Sequence, residues 1–235
     1  MSNNMILASL SQADAAALKP HLKSVHLEQK RILYETGDTI DTVYFPTSSI
    51  VSIVVGLSTG ETIEAAMIGK DGVVGAAAGL DARLSMSRAV VQLSGDAVAC
   101  EIRALKSTAL QSNDLLSKLI RHEQTLFVQA QQSTACMAAH DVEARLCRWL
   151  LRARDLSHSD ALNFTQEYLA DMLGVRRTSV TLVAHTLQRA GFIKYSRGKI
   201  QLLDLAALNE AACECYEVVK TQFRLLTGTA AEKPV

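Results

Sequence analysis

The sequence lacks most of what would mark an enzyme, a membrane protein or a secreted one. It has no GxxxxGK[ST] loop to cradle phosphates and no His-Glu-x-x-His pair to hold a catalytic metal, and no nucleophile elbow of the Gly-x-Ser-x-Gly kind is expected. Gly69–Gly75 looks like a dinucleotide fingerprint, but no helix pattern with a later acid follows it, so it reads as a turn between strands. No catalytic activity is expected. No apolar run approaches the length of a membrane-spanning helix. The opening "MSNNMILASLSQADAA" lacks the basic region and apolar core of a secretion signal. A disulfide framework is missing too: Cys100, Cys136, Cys147, Cys213 and Cys215 make five, an odd number that fits reduced thiols in a cytoplasm. Cys213-Glu-Cys215 is the only close pair, with no second pair or histidine near it in sequence, so no metal site is expected there. Net charge is also absent, with 24 basic against 24 acidic residues. Any surface for a polyanion must therefore be local.

What is present divides the chain into three textures. Residues 11–24 read as a short helix interrupted near Pro20. From Val25 to about Ile102, β-branched and aromatic runs (Thr42–Phe45, Ile50–Val55, Thr62–Met67, Ala89–Leu93, Ala97–Ile102) alternate with turn signals. Those signals are Gly37-Asp38, Ser58-Thr59-Gly60 and Lys70-Asp71-Gly72. Short strands at near-regular spacing predict a barrel, roll or sandwich. Residues 107–155 contain neither proline nor glycine, which permits long helices. Along them Leu116, Leu119, Leu126, Ala130, Ser133, Met137 and His140 recur at close to 3.5 residues, with Glu123 breaking the pattern. This is either a seam between two chains also held by flanking domains or an amphipathic helix lying on its own β domain. Spacing alone does not separate the two. A further helix, "DVEARLCRWLLRARDL", puts Val142, Leu146, Trp149 and Leu150 on one face, and Trp149 reads as core. "SHSDAL" reads as a loop.

The last third carries the strongest signal. Thr165 is an N-cap for a short helix whose inner face is Leu169, Ala170 and Leu173. Gly174 can take the positive φ of a tight turn. A second helix then runs from about Arg177 to Ala190, with Val180, Val183, Ala184 and Leu187 inward and Gly191 stopping it. Phe192–Tyr195 and Lys199–Leu203 flank Ser196-Arg197-Gly198 as a hairpin, which completes a winged helix-turn-helix. From Gly174 to Leu203 the ionisable residues include Arg176, Arg177, Arg189, Lys194, Arg197 and Lys199 but no Asp or Glu. Cations at the start of a helix oppose its dipole, so their partner is expected outside the protein. Duplex DNA supplies it, with closely spaced phosphates and guanine O6 and N7 as bidentate acceptors for arginine. Arg176, Arg177, Thr178, Ser179 and Thr181 suit the N-terminal end of a recognition helix in the major groove, with Thr165, Lys194, Arg197 and Lys199 as flanking contacts.

With these motifs in place, the chain resembles the Crp/Fnr family of bacterial transcription regulators along nearly its whole length. "TQEYLADMLGVRRTSVTLVAHTLQRAGFI" is similar to that family's helix-turn-helix, and "LYETGDTIDTVYFPTSSIVSI" to the opening strands of its sensor roll. The resemblance implies an α+β chain. Its parts are a cyclic-nucleotide-binding-like β-roll (1–106), a dimerisation helix (107–140) and a winged helix-turn-helix domain (141–226); the terminal "TGTAAEKPV" (227–235) reads by itself as a disordered tail. It implies a cytoplasmic homodimer joined through Leu116, Leu119, Leu126, Ala130, Ser133 and Met137, reading a palindrome with half-sites about one DNA turn apart and contacting RNA polymerase. Arg177 falls on the family's base-reading arginine. Thr178 stands where many members have Glu, which removes an acceptor for cytosine N4 and implies a different operator. Ser179 matches a phosphate-touching hydroxyl, and Leu182 replaces a polar contact.

The sensor departs from the pattern. The ribose-binding Glu position falls on Val73 or Val74, and the phosphate arginine falls near Ser87, with Arg88 displaced by one. Such a shift turns a strand residue to the opposite face, and ribose hydroxyls against valine would go unsatisfied. Cyclic AMP in the usual mode is not expected. Val73, Val74, Arg83, Ser87, Arg88, Ala130 and Gln131 are the candidate lining for some other effector, a cyclic dinucleotide among them. An iron–sulfur sensor of the family's kind needs an N-terminal cysteine cluster, and none precedes Cys100. His21, His26, His122 and His140 are only generic haem ligands. Two alternatives stand beside the DNA-binding regulator: a winged-helix interaction module that does not read DNA, and a regulator gated by a cyclic nucleotide or dinucleotide.

Overall fold

Helix caps and turn residues set the element boundaries of this computed structural model, which describes residues 3–58, 60–80 and 83–228. Asn4 caps α1 (Met5–Ala8) and Ser11 caps α2 (Gln12–Leu18), where Pro20 turns the chain through a 3-10 segment, Lys19–His21. Strands β1 (Leu22–Leu27), β2 (Ile32–Tyr34), β3 (Thr42–Pro46), β4 (Ile50–Gly56) and β5 (Thr62–Ile68) follow. After the short α3 (Ala76–Gly79) come β6 (Arg88–Leu93) and β7 (Gly95–Glu101). They pair antiparallel in two sheets, β1-β7-β3 and β2-β6-β4-β5, which is the expected roll. Leu27, Val43, Phe45, Val51, Val91 and Cys100 fill it, closed by Ile102, Leu105, Leu115 and Leu119 from the helices that follow. Gly95 is required where β7 passes the β3–β4 connection. A Cβ there would lie 2.7 Å from the Ser48 carbonyl carbon and the Ser49 nitrogen.

One letter-level expectation needs correcting. Gly56-Leu57-Ser58-Thr59-Gly60 does spell Gly-x-Ser-x-Gly. It joins the antiparallel β4 and β5 as a hairpin, with Leu57 N donating to Glu61 O at 2.8 Å, whereas a nucleophile elbow joins a strand to a helix.

The helical middle divides differently from the expected single segment at 107–140. Helix α4 (Ile102–Gln111) ends at Ser112, whose extended backbone and side-chain acceptor for Leu115 N start α5 (Asn113–Ala139). Residues 107–111 thus belong to a helix packed on the roll. The cause is a local serine cap, which works without proline or glycine.

The C-terminal third is a second core. Helix α6 (Val142–Ser157) leads to a short strand β8 (Ala161–Asn163), part of a stretch read as loop. It pairs with the wing strand β10 (Lys199–Leu202), which also pairs with β9 (Ile193–Ser196). Helices α7 (Gln166–Leu173) and α8 (Arg177–Arg189) form the helix-turn-helix, and α9 (Leu205–Ala211) and α10 (Cys215–Thr227) complete the chain. Thr227 closes α10 with Gly228 as its cap, so it is helical rather than the start of a tail, and residues 229–235 lie outside the described residues. Among the described residues no helix is long and apolar enough to cross a membrane.

Side chains tie the two cores together. Trp149, fully buried as expected, stacks edge-on against Phe164 at 4.8 Å and donates its indole N–H to Glu64 of β5 at 3.1 Å. Asp71 pairs with Arg152 at 2.5 Å, and Gln129 Oε1 accepts the Met67 N–H at 2.7 Å. The helix-turn-helix half is thereby seated on the β4–β5 edge of the roll.

Candidate nucleic-acid interface

The turn between α7 and α8 is built by Gly174, whose φ of 61° and ψ of 44° lie in the left-handed region. Val175 N bonds back to Ala170 O at 3.0 Å, and the buried Arg145 donates to Leu173 O, so the carbonyls at the end of α7 are satisfied. The Thr165 hydroxyl accepts from Tyr168 N at 3.2 Å as its N-cap. Val180, Ala184 and Leu187 bury the inner face of α8. That leaves its other face to solvent.

At the head of that face stand Arg176, which caps α8 without any side-chain hydrogen bond, and Arg177, its first residue. Both are exposed, as is Thr178, with Ser179 half-buried behind them. The Thr181 hydroxyl is engaged locally, 2.7 Å from Gln166 Oε1 and 3.0 Å from the Arg177 carbonyl, and it braces α8 against α7. Leu182, 69% exposed, sits on the same outer surface. The wing turn is tight, with Arg197 at φ 51° and Gly198 at φ 77°, the positive pair of a type I′ hairpin. It exposes Lys194, Arg197 and Lys199.

None of Arg176, Arg177, Arg189, Lys194, Arg197 and Lys199 makes an ion pair among the described residues, whereas Arg83, Arg88, Arg152 and Arg154 all do. Unpaired, exposed cations at a helix N-terminus leave both guanidinium forks and the backbone dipole available to an anion.

The residues proposed for an effector pocket are not brought together. Val73 and Val74 are fully buried core side chains, and the backbone of Val73 is held by His122 of α5, with Nε2 2.8 Å from its carbonyl. Arg83 reaches Asp41 at 2.5 Å, and Arg88 reaches Glu35 at 2.8 Å, both at the outer surface. Ser87 contributes its carbonyl to Ser85 Oγ at 2.7 Å. Ala130 and Gln131 lie on α5, half-buried and exposed respectively. The notion of one pocket lined by all seven is corrected. The two valines are buried in the core, and the two arginines are held in surface ion pairs.

The dimer seam is corrected in part. Leu119 and Ser133 are buried within their own chain, on a stripe with Leu115, His122, Gln129 and Cys136 that faces the roll and α10. They have no surface to offer a partner. Leu116, Leu126, Ala130 and Met137 are half-buried flanks. The outward apolar positions are Ile120, 43% exposed, and Phe127, 65% exposed, seven residues apart. A 3.5-residue template fits either stripe of a helix that is apolar on two sides, which is why Phe127 was missed. Spacing from Ile120 was the available signal.

Two buried groups mark where the α6 side of the second core and α5 meet the roll. Burial pushes the Glu64 carboxyl up to about 7, opposed by hydrogen bonds from Ser52 at 2.5 Å, Gln92 at 3.0 Å and Trp149. Burial lowers the pKa of His122, which holds it neutral against Val73. His26 is an exposed partner of Asp96 at 2.8 Å, so it joins no ligand cluster.

The expectation that Cys213 and Cys215 lack partners is overturned. Cys136 and His140, from the end of α5, bring their ligand atoms within 4.8 Å of both thiols. The missing partners lie more than seventy residues upstream, beyond the reach of local spacing. Cys136-x-x-x-His140, one helical turn apart, was the readable sign.

Comparison with known proteins agrees with this geometry. A family model described as a Crp-like helix-turn-helix domain matches residues 144–211. The transcriptional regulator SdrP of Thermus thermophilus is 33% identical over 105 residues, 42% of this chain and 52% of that protein, so the match spans about half of the curated relative. Among solved structures, FixK2 from Bradyrhizobium japonicum superimposes with a TM-score of 0.69 at 16% identity, over 82% of this chain and 98% of that one. A Crp-family transcriptional regulator from Thermus thermophilus gives 0.65 at 23% identity, over 89% and 98%. A c-di-GMP responsive global regulator from Xanthomonas campestris gives 0.66 at 15%, over 83% and 100%. SdrP and the Thermus thermophilus and Xanthomonas campestris proteins are described as regulators. Residues 144–211 thus match a Crp-like helix-turn-helix domain, and the roll, long helix and winged domain follow one another as in the solved structures that share this fold.

Proposed function

We propose that this chain is a sequence-specific DNA-binding transcription regulator that acts as a homodimer in the cytoplasm. The observation that carries the reading is the set of exposed cations on α8 and the wing that no carboxylate neutralises. Arg177 is assigned to a guanine edge and Arg176, Ser179, Lys194, Arg197 and Lys199 to phosphates. Leu182 offers an apolar contact for a thymine methyl, and Thr178 supplies no acceptor for cytosine, so the operator differs from that of members with Glu there. Two copies meet through the outward face of α5 around Ile120 and Phe127, which sets the two recognition helices for a palindrome with half-sites about one turn apart. RNA polymerase is the downstream partner.

The roll is proposed not to take cyclic AMP in the family's usual mode, because Val73 and Val74 are core and both arginines are already paired. Any effector acts by shifting the population of the DNA-competent arrangement.

Selection of bound duplexes from a random pool, with the purified protein and no added ligand, tests the reading. Enrichment of a palindrome with that spacing supports it. A pool that stays random both alone and with cyclic mono- and dinucleotides would favour a winged-helix interaction module instead.

A further inference from the structure

Four side chains meet where α5 ends and α10 begins. Cys136 and His140 are one turn apart at the end of α5, and Cys213 and Cys215 flank the start of α10. Cys136, Cys213 and Cys215 are buried and form a small cluster of their own against Ala144. Cys136 Sγ is 3.5 Å from Cys213 Sγ, Cys215 Sγ is 3.6 Å from His140 Nδ1, and all four ligand atoms lie within 4.8 Å of one another. A tetrahedron with metal–sulfur bonds of about 2.3 Å and a metal–nitrogen bond of about 2.0 Å has sulfur–sulfur edges of about 3.8 Å and sulfur–nitrogen edges of about 3.6 Å. The Cys136–Cys213 and Cys215–His140 edges come within about 0.3 Å of that solid, and no other edge exceeds 4.8 Å.

The surroundings are those of a supported ligand set. His140 turns Nδ1 to the thiols while Nε2 lies 3.1 Å from Glu214, the carboxylate–histidine arrangement that orients a ligating imidazole. Gln132 Nε2 is 3.0 Å from Cys215 Sγ, a donor suited to a thiolate. Arg145 and Arg148 of α6 lie close enough to Cys136 to feel its charge. They offset the single net negative charge left when three thiolates and one neutral imidazole surround a divalent ion.

We propose that Cys136, His140, Cys213 and Cys215 form a closed zinc site that clasps α10 to the end of α5. A tetrahedral set of three thiolates and one imidazole selects zinc over hard cations. With all four positions filled by protein, the ion is structural rather than catalytic. Binding replaces three thiol protons, which leave to solvent, and no electron is transferred. Because α5 is also the helix that carries Ile120 and Phe127, the ion fixes the C-terminal helix to the element proposed to pair two copies. The site itself does not depend on DNA binding.

The test uses the full chain, purified anaerobically with any affinity tag removed. Metal analysis is expected to give about one zinc per chain, and cobalt exchanged for it should show tetrahedral d–d bands with thiolate charge transfer. Cys213→Ser and His140→Ala are expected to lose the metal and those bands, while Cys100→Ala, distant in the roll, keeps them. Should those variants not fold, thiol labelling of the unaltered protein decides the matter. All five cysteines are buried, so the zinc-loaded protein should label slowly throughout, and a chelator should expose Cys136, Cys213 and Cys215 while Cys100 and Cys147 stay protected. Metal-free protein that binds neither zinc nor cobalt would overturn the proposal. So would metal that stays after both substitutions, or a Cys136–Cys213 disulfide in the anaerobic protein.

Discussion

Arginines stand at two places where this chain could meet an anion, and the two differ in one respect. On the roll, Arg83 and Arg88 are held by Asp41 and Glu35. On α8, Arg176 and Arg177 have no carboxylate, and the whole stretch from Gly174 to Leu203 contains none. An arginine already paired must give up a charged hydrogen bond before it takes a ligand, whereas an unpaired one gives up only water. Cation content alone does not identify a binding surface; the missing counter-charge does. On the roll the arginines are part of the surface's own ion pairs.

The comparison can be broken most forcefully at the proposed dimer interface. Charging the outward face of α5 with Ile120→Asp and Phe127→Asp should yield monomers by sedimentation. Affinity for a full palindrome should fall by roughly 10²–10⁴-fold, the advantage that linked half-sites provide. A dimer that survives both changes would place the interface elsewhere.

A second effect concerns a buried carboxylate that feels the Arg148 charge without pairing with it. Glu64 is buried with hydrogen bonds but no ion pair among the described residues, and its pKa is raised from 4.5 to about 7. The folded state therefore holds a proton that the unfolded chain releases above pH 4.5. Stability from this group is complete below about 4.5, declines as pH rises through 7, and is flat beyond. Glu64→Gln should remove that decline, gaining at most roughly 3 kcal/mol at pH 8 relative to wild type. Urea unfolding at pH 5 and pH 8 checks it, and equal pH dependence in both proteins would contradict it. His122 acts with the opposite sign. Its lowered pKa makes stability fall as pH drops below its ordinary value of 6.5, so Glu64→Gln should leave that acid limb in place.

At the recognition face, Arg177→Ala should cost about 1–3 kcal/mol of discrimination between operator and mismatched duplex. Arg88→Ala on the roll should leave DNA affinity unaltered. Equal losses from both would erase the distinction drawn here between free and paired arginines. The smallest effect is expected at the wing. Lys194→Ala or Lys199→Ala should weaken binding to all sequences alike and flatten the salt dependence by about one unit of slope, measurable by titration at several salt concentrations.

How much of this was legible in the chain depended on the range of the interactions involved. The helix-turn-helix was readable almost residue by residue. Thr165, Gly174, Arg177 and Gly191 each act on their immediate neighbours through a cap, a turn, a dipole or a stop. The roll was readable as a class, because turn glycines and alternation are local even though strand order is not. Phe127 escaped because periodicity cannot say which of two stripes faces a neighbour. The gathering of Cys136 and His140 with Cys213 and Cys215 escaped because spacing ends where the chain turns back.

The sequence by itself determined the elements, the winged helix-turn-helix and its acid-free basic face, since these follow from propensities and charges within one or two turns. Only the tertiary structure decided which cations remain free, that Val73 and Val74 are core, which face of α5 is outward, and that three cysteines and a histidine distant in sequence share one small volume. Those are facts of packing, settled when segments far apart in sequence bury their surfaces against one another.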